Sequence, residues 1–170
     1  MTRTIAFSLL LVCSQAALAA SPSHRVGFGT FGPLKVGMTE REVARVTHAP
    51  VVHTDSDVEE EGCFYGLVRG LPKGIDLMFL DGRLARIDVE DARFRTAAGA
   101  GIGSTEAELV RLYGAKLKQE PHAYTGPEGH YLTVASPDGR QFTRFETDGK
   151  IVTTFYTGRK DAIELIEGCL

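Results

Sequence analysis

The chain has no tryptophan, only three cysteines and no long hydrophobic run. A membrane-spanning helix needs about 20 consecutive apolar residues, and the longest apolar run covers only positions 5–13. Basic residues form no stripe, because 19 lysines and arginines are dispersed among 22 acidic residues for a formal net charge of −3. The sequence therefore indicates no helical membrane span and no nucleic-acid partner.

The first 19 residues have the layout of a secretory signal peptide. Arg3 precedes the apolar run, and Ala17-Leu18-Ala19 follows it as an A-x-A cleavage site. A lipidated cysteine would follow glycine, alanine or serine, whereas Cys13 follows Val12. We expect cleavage near Ala19 and a soluble product in the periplasm or outside the cell. The alternative is a buried N-terminal helix.

Two cysteines, Cys63 and Cys169, remain once such a leader is removed. An even number of cysteines in an oxidising compartment favours a disulfide, and we expect one bridge between them. The chain-entropy model gives about 4–5 kcal/mol of stabilisation for a loop of that length. The alternative is two free buried thiols. A chain of this size can fold around its own core, and we expect no cofactor.

Two segments resemble each other, Val36–Val46 and Ile102–Leu112. Each contains a threonine followed three residues later by a glutamate. This spacing predicts two helices that begin with capping boxes, at Thr39 and at Thr105.

The sequence after each helix predicts an antiparallel meander, because Asp81-Gly82 and Asp148-Gly149 are hairpin signals between apolar runs. The predicted strands cover 63–68, 75–80 and 83–89 in the first half, and 131–135, 141–146 and 151–157 in the second. We therefore predict an α+β fold of two tandem repeats, each a helical segment followed by a three- or four-stranded antiparallel meander. The repeats would span 34–91 and 101–158, and the tail 159–170 would be tied to the first repeat.

The helix start Val36-Gly37-Met38-Thr39, with Pro50 soon after the helix, resembles a family that includes the small lipoprotein of the outer-membrane β-barrel assembly machine. In tandem, the arrangement is similar to the β-lactamase inhibitor protein. The motif covers Leu34–Pro50 and, less closely, Gly101–Gly114. The resemblance implies an exported module that binds other proteins through a sheet face or its loops.

Aromatic residues in and near the predicted strands are candidates for a binding surface. Neighbours in a strand point to opposite faces of the sheet, so Phe64 and Tyr65 cannot both lie in one core. Exposed aromatic side chains are common at protein-binding surfaces. The candidate binding residues are Tyr65, Tyr124, His130 and Tyr131. The alternative is that they merely cover the sheet.

No constellation of catalytic or metal-binding residues stands out in the sequence. Ser104 and Ser136 lack the context of a nucleophile. His122 and His130 are eight residues apart, but zinc requires three or four ligands and the spacing implies no third one. We predict that the protein is not an enzyme and has no catalytic, cofactor-binding or metal-binding residue.

These features favour an exported, non-catalytic protein-binding module, of which an inhibitor of a hydrolase or toxin would be one form. The first alternative is a structural component in cell-envelope assembly. The second is a small hydrolase or sugar-binding protein that uses His122 and His130. The partner would be another envelope or extracellular protein, and the sequence does not define the oligomeric state.

Overall fold

The computed structural model describes residues 25–54 and 62–169. Of these residues, 41% lie in strands and 17% in helices. The strands are β1 (Arg25–Gly27), β2 (Thr30–Phe31), β3 (Leu34–Lys35), β4 (Val51–His53), β5 (Cys63–Val68), β6 (Ile75–Leu80), β7 (Arg83–Val89), β8 (Arg95–Thr96), β9 (Lys118–Pro121), β10 (His130–Ala135), β11 (Phe142–Thr147) and β12 (Val152–Gly158). The helices are α1 (Glu40–Thr47), α2 (Glu106–Tyr113), a 3-10 turn (Gly114–Lys116) and α3 (Lys160–Ile163). The predicted signal peptide, residues 1–19, lies outside the described residues.

The strands form two sheets. The larger sheet is antiparallel and has eight strands in the order β4-β5-β6-β7-β12-β11-β10-β9. The smaller sheet has the order β3-β2-β1-β8, and β1 runs parallel to β8. At the centre of the larger sheet β7 pairs with β12, where Val89 lies opposite Phe155 and Asp88 lies opposite Tyr156.

One face of the larger sheet forms the hydrophobic core. Alternation along the strands directs fully buried side chains such as Leu77, Ile87 and Phe155 to this face. The smaller sheet covers it with Val26, Phe31 and Leu34, and the two longer helices add Val43 and Leu109. Burial of these apolar side chains supplies most of the driving force for folding.

Both longer helices begin as the sequence predicts. The hydroxyl oxygen of Thr39 accepts from the backbone N–H of Glu42, and the Glu42 carboxylate accepts from the backbone N–H of Thr39. Thr105 and Glu108 form the same reciprocal pair. In residues 25–54 and 62–169, no helix is long and apolar enough to span a membrane.

The predicted fold class is wrong. The protein is β-rich and has an eight-stranded and a four-stranded sheet, in place of two tandem helix-plus-meander repeats. The six predicted strands are present to within one residue. They belong to one continuous sheet, however, because the pairing of β7 with β12 joins the two halves. The small sheet was missed because its strands are only two or three residues long, which is too short for alternation to reveal.

The C-terminal segment packs on the opposite face of the larger sheet. The predicted disulfide is confirmed and joins Cys63 of β5 to Cys169, with their Cα atoms 5.4 Å apart. A small second core forms beneath this segment, where Ala162 of α3 meets Met78 and Ala85. Residues 165–169, the last described part of the segment 159–170, are called the tail below, and the disulfide to β5 holds them against this face.

Candidate binding site

The face of the larger sheet that carries the tail, called the tail-side face below, is polar where the tail does not cover it. Asp76 on β6 lies opposite Asp88 on β7, Asp88 lies opposite Tyr156 on β12, and Tyr156 lies opposite Arg144 on β11. Directly paired residues point to the same side of a sheet. The register therefore places a row of ionisable side chains across the four central strands.

The guanidinium group of Arg86 makes polar contacts with four residues. Nε lies 2.8 Å from Oδ1 of Asp88 in an ion pair. Nη1 donates to the carbonyl oxygens of Ala162 and Leu165, at 3.0 and 2.8 Å. Nη2 donates to the hydroxyl oxygen of Tyr65 at 2.7 Å. Arg86 thus acts as a structural anchor that binds the C-terminal segment to the sheet.

Only one of the two carboxylate oxygens of Asp88, Oδ1, has a partner in this arrangement. The residue is 8% exposed, and its Oδ2 atom is buried with no hydrogen-bond partner among the described residues. Burial raises the pKa of Asp88 to about 6, and the carboxylates of Asp76 and Glu90 act in the same direction. The neighbouring guanidinium of Arg86 opposes this shift without cancelling it.

The central part of the tail-side face holds a pocket of about 410 Å³, called the tail pocket below. Its floor is the sheet, and residues Ile166, Glu167 and Gly168 of the tail form one wall. Five carboxylates line it, from Asp76, Asp88, Glu90, Glu146 and Glu167. Arg86 is the cation among its described lining residues, so the pocket is acidic.

The wall of the tail pocket depends on a glycine. Gly168 has a φ of 75°, in the left-handed region, and a Cβ atom at this position would lie 2.7 Å from the hydroxyl oxygen of Tyr65. A larger residue would therefore be strained and would push the tail away from Tyr65.

A hydrogen-bonded chain runs beside the tail pocket from His122 to Tyr156. His122 Nδ1 accepts from the backbone N–H groups of Tyr124 and Thr125, at 3.1 and 3.3 Å. Nε2 therefore carries the proton and faces Oε2 of Glu146 at 3.2 Å. The hydroxyl of Tyr156 donates to the other carboxylate oxygen of Glu146 at 2.9 Å. Both nitrogens of His122 are occupied, and neither is positioned to take a proton from a substrate.

The loop that follows β9 extends toward the tail. The hydroxyl of Tyr124 donates to the carboxylate of Glu167. The ring of His122 stacks on Tyr131, with the ring centroids 4.4 Å apart. Loop and tail are thereby joined above the polar part of the sheet.

An apolar rim borders the tail pocket on the side of β4 and β5. Val52 and Leu67 are cross-strand partners and are 57% and 55% exposed. Ile166 of the tail is 43% exposed, and both Leu67 and Ile166 line the pocket. Leu67 and Ile166 therefore place exposed aliphatic surface beside the clustered carboxylates, and Val52 extends this surface onto β4.

The predicted binding residues are only partly brought together. Tyr65 lines the tail pocket, and Tyr124 contacts it through Glu167. Tyr131 lies on the same face but is buried, at 4% exposure. His130 points to the opposite face, where its Nδ1 lies 2.8 Å from Oε1 of Glu106.

Sequence reasoning missed the charged residues that define the tail pocket. A signal for them was present, because Arg86-Ile87-Asp88-Val89 alternates charged and apolar residues in the middle of a strand. Such alternation predicts one apolar and one polar face. The predicted disulfide ties the tail to the first half of the chain, but it does not indicate which residues of the sheet the tail covers.

The structure gives no support to a metal centre at the two histidines. His122 and His130 lie on opposite faces of the sheet and bind separate glutamates. Across residues 25–54 and 62–169, no group of three or more histidine, cysteine, aspartate or glutamate side chains is arranged to hold a metal ion.

Comparison with known proteins identifies no family for this chain. No family model matches it, and no curated protein matches it. Among solved structures, it is similar to the uncharacterized protein yfeY from Escherichia coli, with a TM-score of 0.48 and 13% identity. The likeness covers 80% of this chain and 99% of that chain, and at this TM-score it carries no argument about function.

Proposed function

We propose that the protein is an exported, non-catalytic module that binds another envelope or extracellular protein on its tail-side face. The observation that carries this proposal is the apolar rim beside the acidic tail pocket. Leu67 and Ile166 are large aliphatic side chains with about half of their surface exposed, and both line the polar pocket. Val52, which is equally exposed, lies opposite Leu67 on the neighbouring strand. Contiguous apolar surface with a polar surround is typical of protein interaction sites.

The disulfide between Cys63 and Cys169 indicates an oxidising compartment. The leader layout of residues 1–19 supports export to such a compartment, with cleavage near Ala19. The helix-start motif in Leu34–Pro50 resembles exported modules that bind proteins, which supports the same role.

The occupied state of His122 supports binding over hydrolysis. Its ring accepts two backbone hydrogen bonds and faces Glu146, and Glu146 is also held by Tyr156. A general base must present a free lone pair to the proton that it removes. This chain of hydrogen bonds instead fixes the shape of the pocket.

The test is cross-linking capture from an extract of the native compartment, with the exported protein as bait. Leu67→Asp places a charge on the rim, and Val110→Asp is the matched control because Val110 on α2 is 54% exposed and lies outside the rim. We expect a partner that is captured by the wild type and by Val110→Asp but lost with Leu67→Asp. Circular dichroism checks that both variants fold.

Equal capture by all three proteins would contradict the proposal. So would turnover of an ester, peptide or glycoside that disappears with His122→Ala. The identity of a partner whose capture depends on Leu67 distinguishes an inhibitor from a structural component of the envelope. A hydrolase or toxin would indicate an inhibitor, and a component of the assembly machinery would indicate a structural part.

A further inference from the structure

We propose that the tail pocket receives the cationic end of an arginine or lysine side chain that projects from the partner protein. The inference rests on the proposed function and assigns the chemistry of the partner at that site. It is carried by the charge balance of the pocket, by one buried carboxylate oxygen and by the neighbouring apolar rim.

The carboxylates of the tail pocket exceed its internal cations. Arg86 is committed to Asp88, Tyr65 and the backbone of the C-terminal segment. Glu146 and Glu167 accept hydrogen bonds from neighbouring side chains. Asp76 and Glu90 make no side-chain hydrogen bond or ion pair within the described residues. The pocket therefore presents uncompensated negative charge to whatever occupies it.

The buried carboxylate of Asp88 supports the proposal independently of how many carboxylates line the pocket. Asp88 lines the pocket and is more than nine-tenths buried. Its Oδ2 atom is buried and has no hydrogen-bond partner among the described residues. A buried carboxylate oxygen without a donor is costly, and a positive charge held in the pocket beside it would offset that cost. The end of an arginine or lysine side chain supplies such a charge.

The dimensions and the border of the pocket fit a basic side chain. A volume of about 410 Å³ admits a guanidinium or ammonium group together with part of its stem. Arginine and lysine bury their aliphatic stems against apolar surface while the charged end binds elsewhere. Leu67 and Ile166 supply that surface at the mouth of the pocket.

The test uses small probes and nuclear magnetic resonance of the isotope-labelled exported protein. The cationic probes are the N-acetyl amides of arginine and lysine, and the N-acetyl amide of citrulline is the neutral probe with the shape of arginine. We expect a cationic probe to shift the amide signals of Tyr65, Asp88 and Tyr156. We expect citrulline to bind at least about ten-fold more weakly, because it lacks the charge.

The variant Asp76→Asn/Glu90→Gln removes two pocket charges without disturbing the Arg86–Asp88 pair. We expect it to weaken binding of the cationic probe by about ten-fold. The control Glu164→Gln removes a charge from the same region, but this residue does not line the pocket and pairs with Lys160. It should leave binding unchanged.

Equal affinity for arginine amide and citrulline amide would overturn the inference, as would equal binding by the double variant and the control. Putrescine is included as a free diamine, and tighter binding of putrescine than of either amino-acid probe would overturn the assignment to a protein side chain.

The two proposals fail in different ways. A partner whose capture depends on Leu67 but not on Asp76 and Glu90 would leave the proposed function standing and overturn the inference. Binding of arginine amide in the pocket without any Leu67-dependent capture would leave the cation site and overturn the proposed function.

Discussion

The guanidinium of Arg86 donates to the carbonyl oxygen of Leu165 at 2.8 Å, and this bond joins the centre of the larger sheet to the tail. Together with the bond to Ala162 it places the C-terminal segment over the polar face. The wall of the tail pocket therefore depends on a side chain that comes from the floor of the same pocket.

Replacement of Arg86 by methionine should destabilise the protein by about 3–5 kcal/mol, because it leaves the buried charge of Asp88 and two carbonyl oxygens without their donor. Urea unfolding followed by circular dichroism measures the loss. Arg86→Lys keeps the charge but lacks the planar fork, so its loss should be smaller. A methionine variant as stable as the wild type would show that Arg86 does not anchor the tail.

Loss of the disulfide should lower stability by about 2–5 kcal/mol, because the bridge restricts the unfolded chain. Cys63→Ala, Cys169→Ala and the double variant should be equally destabilised in urea, since each removes the same bond. Non-reducing mass spectrometry of the wild type should yield one linked peptide pair. Alkylation of both thiols in the native protein would contradict the bridge.

Thr39→Ala and Thr105→Ala should each cost about 1 kcal/mol, because each removes the acceptor for an N–H at a helix start. Thr39→Ser and Thr105→Ser keep the hydroxyl and serve as controls with a smaller effect. Chemical unfolding of the four variants measures the difference. Serine variants that lose as much as the alanine variants would indicate that the methyl group, not the cap, is important.

Asp88 should make stability depend on pH in an unusual direction for a carboxylate. Its pKa is raised to about 6 in the folded protein, so the folded state binds the proton more tightly than the unfolded state. The stability contributed by its protonated form is present below about pH 4 and is lost as pH rises through about 6. The charged and titratable groups that face it are Asp76, Arg86 and Glu90, with Tyr65, Tyr156, Glu146 and Glu167 around the pocket.

Asp88→Asn isolates this effect, because asparagine does not titrate. The stability of the wild type relative to Asp88→Asn should fall by a few kcal/mol between pH 4 and pH 7, and urea unfolding at both pH values measures the difference. Glu164→Gln is the control and should show no comparable trend. A relative stability that stays constant or rises over this interval would contradict the raised pKa.

The sequence predicts local structure in this protein better than its assembly. The capping boxes at Thr39 and Thr105 and the hairpin turns at Asp81-Gly82 and Asp148-Gly149 depend on residues a few positions apart, and short-range chemistry determines them. The pairing of β7 with β12 depends on contacts between distant segments. No local pattern encodes that pairing, and the prediction of two tandem helix-plus-meander repeats failed at this point.

The same distinction applies to the candidate site. The position of Tyr65 on the face opposite Phe64 follows from alternation, and the structure confirms it. The tail pocket depends on the C-terminal segment folding back across the sheet. The disulfide prediction located one end of that segment, but the role of Arg86 could be recognised only once its four partners were placed.

The β7–β12 pair also has a consequence for how the chain folds. Among the described strands of the larger sheet, all neighbouring pairs except β7–β12 join strands that are consecutive in the chain. Val89 of β7 and Phe155 of β12 meet across roughly 65 residues of intervening chain. Contacts between segments so far apart in sequence slow folding. We expect two four-stranded intermediates to form early and to dock late. Until they dock, β7 and β12 are open edges with apolar side chains, and they are the strands at which a second copy would add and start aggregation.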